Sequence, residues 1–135
     1  IQVGGSDQWG NIVSGIELNR RQSKSQCFGI TVPLITKSDG GKFGKTEDGN
    51  VWLDPEKTSP YKFYQFWINI SDEDAVNFIK IFSMKNKDDI NELIKNHQKE
   101  PHLRLLQNTL ADEITQTVHD KNSLNVAKST SKISE

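Results

Sequence analysis

Two short stretches carry residue types that could manage a phosphorylated ligand. The first, Asp39 to Gly49, reads DGGKFGKTEDG; it sets Lys42 and Lys45 three apart among glycines, with Lys37 upstream and Thr46 directly after. Lysine ammonium groups on long stems can follow a charge that moves as a phosphate departs, and a threonine hydroxyl adds a donor. The ending Gly44-Lys45-Thr46 imitates a Walker loop, yet the position that should open that motif with glycine holds Asp39. Gly49 and Pro55 then follow too closely for the helix that a Walker loop must enter. A solvated turn is the plainer account of the glycines. The functional account is a cationic arm that folds over a polyanion, with Phe43 anchoring it on apolar surface.

The second stretch, Gln2 to Asn11, reads QVGGSDQWGN. A strand that ends in paired glycines and opens a helix places backbone N–H groups and a positive dipole end at the carboxyl edge of a sheet, where open α/β folds bind ligands. The competing account is an ordinary strand-to-helix turn with Ser6 or Asp7 as helix cap. A working Asp7 would repel phosphate, so it should accept hydrogen bonds from ribose hydroxyls or an ammonium group. Neutral Gln8 could sit nearer a phosphate. Trp9 reads as a core residue of the helix face. Leu34 and Ile35, just before the lysine arm, could present an apolar face to a flat base, or simply fill a strand core.

These stretches need elements to hold them. Ile1 to Val3 reads as a strand end, and Asp7 to about Arg21 as a helix with Trp9, Ile12, Val13 and Ile16 on one face. Phe28 to Thr36 is rich in β-formers, the loop Lys37 to Asn50 follows, and Val51 to Leu53 is a short extended piece. Strand, helix and strand in that order predict one α/β unit of a parallel sheet. From Thr58 the pattern becomes helical. Ser59-Pro60 is a helix start, Ser71 with Asp74 a second, Ile90, Leu93 and Ile94 mark a third helix, and Leu103, Leu106, Leu110, Ile114 and Val118 a fourth. The Ser- and Lys-rich tail from Lys121 predicts at most one further turn, at Leu124 to Ala127. The chain thus reads as half an α/β domain joined near Asp54 to Ser59 to an all-helical domain.

Composition narrows the function classes. The 135 residues are 33% hydrophobic and 26% charged with a formal net charge of -1, so a positive surface for RNA must be local. Cys27 is the single cysteine; it excludes an internal disulfide and fits a reducing compartment. His97, His102 and His119 have no metal-ligand spacing with it, and no protein metal site is expected. No apolar run reaches the length of a membrane span. The opening Ile-Gln-Val looks like a strand within a longer chain, so the sequence reads as a fragment.

In order and spacing, GGSDQWGN, KFGKT, WLDP and TSPYKFYQFWIN resemble the bacterial and organellar type of tyrosyl-tRNA synthetase, a class I aminoacyl-tRNA synthetase. KFGKT corresponds to the mobile lysine signature of that class, usually written KMSKS. The resemblance implies the C-terminal part of a Rossmann-like catalytic domain over residues 1–57, a helical anticodon-region domain over 58–131 and a tail over 132–135. It implies activation of tyrosine by ATP with Mg²⁺, then transfer to tRNA(Tyr), in a homodimer of the cytoplasm or of the mitochondrial matrix. Carried over, Lys42, Lys45 and Thr46 would contact the leaving pyrophosphate, and Gly5 and Asp7 would hold the ribose. Gln8 would lie near the α-phosphate and tyrosyl carboxylate, Gln2 near bound tyrosine, and Leu34 and Ile35 beside adenine. The HIGH signature, most of the tyrosine pocket and the S4-like RNA-binding module are not among these residues, and the piece is expected to be inactive alone. Two other readings stand beside it: a tryptophanyl enzyme of the same class, and a non-enzymatic helical RNA-binding module using Lys62, Lys80, Lys85, Lys87 and Arg104.

Overall fold

The computed structural model describes residues 1–41, 43–46 and 49–133; Lys42, one of the expected pyrophosphate contacts, lies outside them. The chain forms two compact units, Ile1–Phe43 and Gly44–Glu135.

In the first unit, strand β1 (Gln2–Gly5) runs into a 3-10 turn (Ser6–Gln8) and helix α1 (Trp9–Ser23), and strand β2 (Gly29–Val32) returns parallel to β1. The register pairs Gln2 with Gly29, Val3 with Ile30, Gly4 with Thr31 and Gly5 with Val32. Alternation along the strands turns Gly4 and Gly29 toward α1 and Val3, Ile30 and Val32 away from it. Two missing side chains make room for one: a Cβ on Gly4 would lie 3.3 Å from Cδ1 of Ile12, and one on Gly29 would collide with Cγ2 of Ile12. Ile12 is fully buried, and among the described residues of this unit no other hydrophobic side chain is. Trp9, expected in the core, is 55% exposed. It sits at the first position of α1, three residues ahead of Ile12, the side chain that meets the sheet. Val3, Ile30 and Val32 are each more than half exposed. The β segment after α1 is shorter than expected and ends at Pro33, which lacks the N–H a ladder needs.

In the second unit, strands β3 (Lys45–Thr46) and β4 (Gly49–Asn50) pair antiparallel, with Lys45 opposite Asn50 and Thr46 opposite Gly49. The extended piece expected at Val51 to Leu53 is therefore displaced upstream. Gly49 has φ +115°, a conformation that only glycine adopts without strain. Helices α2 (Pro60–Ile68), α3 (Asp72–Phe82), α4 (Lys87–Lys99), α5 (Leu105–Val118) and α6 (Lys121–Ile133) follow, with a 3-10 turn at Pro101–Leu103. Their starts are chemically marked. Ser59, Ser71 and Asn86 accept from the amides of Lys62, Asp74 and Asp89, each three residues on.

α2 packs against α5 and α6 through buried Phe63, Tyr64 and Trp67. The Trp67 ring meets Phe82 and Phe78 of α3 edge-on at centroid distances of 5.2 and 6.4 Å. Leu103, expected within the fourth helix, lies in the preceding 3-10 turn and is 56% exposed.

The tail is where expectation and structure differ most, because α6 runs for 13 residues rather than one turn. Its Ser, Asn and Thr residues are indifferent helix formers, and packing supplies what propensity does not. Leu124 and Ala127 are buried, Oδ1 of Asp120 accepts from the Ser123 amide at 2.6 Å, and Nε2 of Gln65 donates to Oγ of Ser131 at 2.8 Å.

Candidate active site

The first unit brings Gly5, Asp7, Gln8 and Leu34 together at the carboxyl end of the parallel pair. A Cβ placed on Gly5 would lie 2.6 Å from Oδ1 of Asp7 and 2.7 Å from Cδ2 of Leu34, so the carboxylate and the apolar branch close over the space a side chain would take. The backbone here is extended, with φ -69° and ψ 162°, and Gly5 serves close approach rather than a special conformation.

The helix-cap account of this turn fails. The cap positions fall on Gly5 for the 3-10 turn and on Gln8 for α1, and neither cap is closed by a side chain. Instead, Oδ2 of Asp7 accepts from Nε2 of Gln8 at 3.1 Å, and Oε1 of Gln8 accepts from Nδ2 of Asn11 at 3.0 Å. The Gln8 amide is thereby oriented at both ends, although Asp7, Gln8 and Asn11 are all solvent-exposed. Asn11 was not singled out from the sequence. The signal that could have found it is its i+3 spacing from Gln8, which puts the two on one side of the helix start.

Gln2 does not join this cluster. Its Oε1 lies 3.9 Å from where a Cβ of Gly15 would be, which places the side chain on the α1 face of β1, away from the Asp7 and Leu34 contact over Gly5. Leu34 is 54% and Ile35 37% exposed, so neither is the strand core that was the common alternative for them. Lys45 and Thr46 form the backbone of β3, and Val51 N–H donates to the Gly44 carbonyl at 2.9 Å. Gly40 and Gly44 take positive φ values of +79° and +76°, the first ahead of the lysine arm and the second inside it, just before Lys45.

Electrostatics elsewhere separates candidate RNA contacts from internal ones. Of the basic residues suggested for a helical RNA-binding surface, Arg104 donates to the backbone carbonyls of Ile68 and Ile70 at the end of α2, where a helix dipole favours a cation. Lys85 pairs with Glu113 at 3.0 Å. Both are tied within the helical unit. Among the described residues no group of three or more His, Cys, Asp or Glu side chains could hold a metal ion, and no helix is long and apolar enough to cross a membrane.

Residues 1–133 match the family described as tRNA synthetases class I (W and Y), and the chain belongs to that family. Its relatives narrow the resemblance. The chain is 58% identical over 133 residues to a tyrosine–tRNA ligase of Bacteroides thetaiotaomicron, and 57% identical over the same span to one of Porphyromonas gingivalis. Each match covers 98% of this chain and 31% of the relative, so the chain spans about a third of the length of those proteins.

Two solved structures are similar as well. A C-terminally truncated mitochondrial tyrosyl-tRNA synthetase of Coccidioides posadasii matches with TM-score 0.75 and 33% identity over 93% of this chain and 37% of its own. The corresponding Aspergillus nidulans structure matches with TM-score 0.79 and 26% identity over 99% and 39%.

Proposed function

We propose that this chain is the part of a tyrosine–tRNA ligase that holds the ribose and adenine of ATP and carries the mobile lysines, followed by helices of the tRNA-contacting region. The observation that carries the reading is the meeting of the Asp7 carboxylate and the Leu34 branch over Gly5, since Gly5 and Asp7 are expected to hold the ribose and Leu34 to lie beside adenine. Relatives named tyrosine–tRNA ligase favour this substrate over tryptophan.

Adenylation needs no general base. The tyrosine carboxylate, already ionised at neutral pH, attacks the α-phosphorus of ATP; a P–O bond forms to the carboxylate and the bond to pyrophosphate breaks. The tyrosyl group then passes to a hydroxyl of the terminal adenosine of tRNA(Tyr), releasing AMP. What the protein must supply is position and charge stabilisation. Asp7 accepts from ribose hydroxyls while the Gly5 backbone lies close beneath. Gln8, with one amide hydrogen on Asp7 and its oxygen on Asn11, has its second N–H to donate toward the α-phosphate and the tyrosyl carboxylate. Leu34 and Ile35 flank adenine. Lys42, Lys45 and Thr46 stabilise charge growing on pyrophosphate, and Gln2 lies toward bound tyrosine, its placement on the α1 face setting it apart from the ribose group. Mg²⁺ would arrive with ATP, held chiefly by phosphate oxygens and water.

In domain terms, residues 1–57 belong to a Rossmann-like catalytic domain, 58–131 to a helical anticodon-region domain and 132–135 to a tail. The open face of Val3, Ile30 and Val32 supports this, since parallel strands are ordinarily covered on both sides. The whole enzyme would be a homodimer in the bacterial cytoplasm, or in the mitochondrial matrix for an organellar form.

The test is Lys45→Ala in the full-length enzyme. Adenylate formation should slow by about 10² or more with tyrosine binding nearly unchanged, because the contact strengthens only in the transition state. An unchanged adenylation rate refutes the role.

A further inference from the structure

The lysine hairpin has an anchor to which the proposed function gives no task. β3 and β4 are two residues each, and a ribbon that short is marginal in water by itself. Its ladder is prolonged when Val51 N–H donates to the Gly44 carbonyl at 2.9 Å. The very next amide, that of Trp52, donates to Oγ1 of Thr58 at 2.9 Å. Thr58 is only 7% exposed, and its own amide donates to the Asp54 carbonyl at 3.0 Å. Asp54 also closes the turn with its side chain, Oδ1 accepting from the Glu56 amide at 3.0 Å. Nζ of Lys57 stands 4.6 Å from the centre of the Trp52 ring, a cation–π distance.

Adjacent hydroxyls therefore serve opposite directions. Ser59 looks forward and caps α2 through the Lys62 amide, while Thr58 looks back and fastens the stem of the hairpin. What it fastens the stem to is α2, held in the helical core by Phe63, Tyr64 and Trp67, each nearly inaccessible to solvent.

We propose that Thr58 is a positioning residue for adenylate formation, its hydroxyl fixing the Trp52 amide so that the Lys45 hairpin is aimed from the buried helix α2. The inference rests on the reading of Lys45 as a pyrophosphate contact. A lysine that acts mainly in the transition state depends on fine placement, where a displacement near 1 Å costs as much as about 10²-fold in rate. Valine matches threonine in shape but cannot accept a hydrogen bond, which leaves the Trp52 amide without its partner. Serine retains the acceptor. Lys57 packed on Trp52 is a second, weaker restraint on the same residue.

The experiment compares Thr58→Val, Thr58→Ser and Lys45→Ala in the full-length enzyme by single-turnover tyrosyl-adenylate formation, expressed per active site from burst titration, together with tyrosine KM and Tm. Thr58→Val should lose about tenfold in per-site rate with tyrosine KM within about twofold of the parent, and Thr58→Ser should recover most of the rate. A purely structural role would lower Tm and the number of titratable sites while leaving the per-site rate intact. The proposal is overturned if Thr58→Val keeps a per-site rate within about twofold of the parent while Lys45→Ala slows. A Lys45→Ala rate that does not change removes the functional reading itself, and the inference with it.

Discussion

Nε2 of His97 lies 3.1 Å from Oδ1 of Asp72, and that same oxygen accepts a 2.7 Å hydrogen bond from Nε2 of Gln107. One carboxylate at the start of α3 thus meets both α4 and α5. The imidazole contact is one of proximity rather than an aligned hydrogen bond, since the ring nitrogens of His97 lack a well-directed partner. The Gln107 bond is the stronger link, and Gln107 is fully buried. We expect Asp72→Ala to destabilise the helical unit by about 1–3 kcal/mol, because it removes the best acceptor of a buried amide. Asp72→Asn keeps an acceptor oxygen and should cost less. Urea unfolding followed by circular dichroism decides the matter, and equal losses in the two variants would speak against an acceptor role.

Gly5 and Gly29 are predicted to respond differently to the same added methyl. At Gly29 the new Cβ would strike Cγ2 of Ile12, a stiff branched side chain with no exposure, so Gly29→Ala should lower Tm. At Gly5 it would meet the movable ends of Asp7 and Leu34 in a backbone conformation that alanine adopts easily. Gly5→Ala in the full-length enzyme should therefore leave Tm near the parent value while raising KM for ATP by about tenfold. A Gly5→Ala enzyme with parental ATP dependence would show that the Gly5 turn does not receive the nucleotide.

Glu17 offers a test by pH. Hydrogen bonds from Arg20, and then from Arg21, hold its carboxyl down to about 2 from an ordinary value of 4.5. Because the folded value is depressed, the stabilising contribution of this cluster is complete above the ordinary value and fades as pH falls toward 2. All three side chains are solvent-facing, so the effect on Tm at neutral pH should be slight. The carboxyl-carbon chemical shift of Glu17 should titrate far below the usual glutamate range, and Arg20→Ala should raise the midpoint more than Arg21→Ala does. A midpoint near 4.5 in the parent chain would contradict the geometry.

Legibility in the sequence followed the range of the interactions. Ser59-Pro60, Ser71 and Asn86 begin helices through contacts three residues away, and the first two are evident from residue order. The helix at the tail was missed because it depends on partners far along the chain, among them the bond from Gln65 to Ser131, 66 residues apart. Trp9 was misread for a related reason: a 3.6-residue period identifies a face but cannot say how far along the helix the sheet extends beneath it. At the site, the residue types of Gly5, Asp7 and Leu34 were legible, and their nearness was expected only through the family resemblance, because spacing alone does not say that the chain after β2 returns beside the end of β1. Asn11 escaped notice since its partner is a side chain, and side-chain pairs leave only a faint trace in spacing.

Ile12 has no group that could touch a substrate, yet it rests on Gly4 of one strand and Gly29 of the other. α1 can descend toward the strands only as far as that branched side chain permits, and Gln8, whose Cβ lies 3.2 Å from where a Cβ on Gly4 would be, descends with it. Ile12 is in effect a spacer of fixed thickness. The height of the Asp7–Gln8 pair above the strand ends is gauged by a hydrocarbon, so the setting of the proposed ribose-binding turn depends on a residue that no ligand would ever meet.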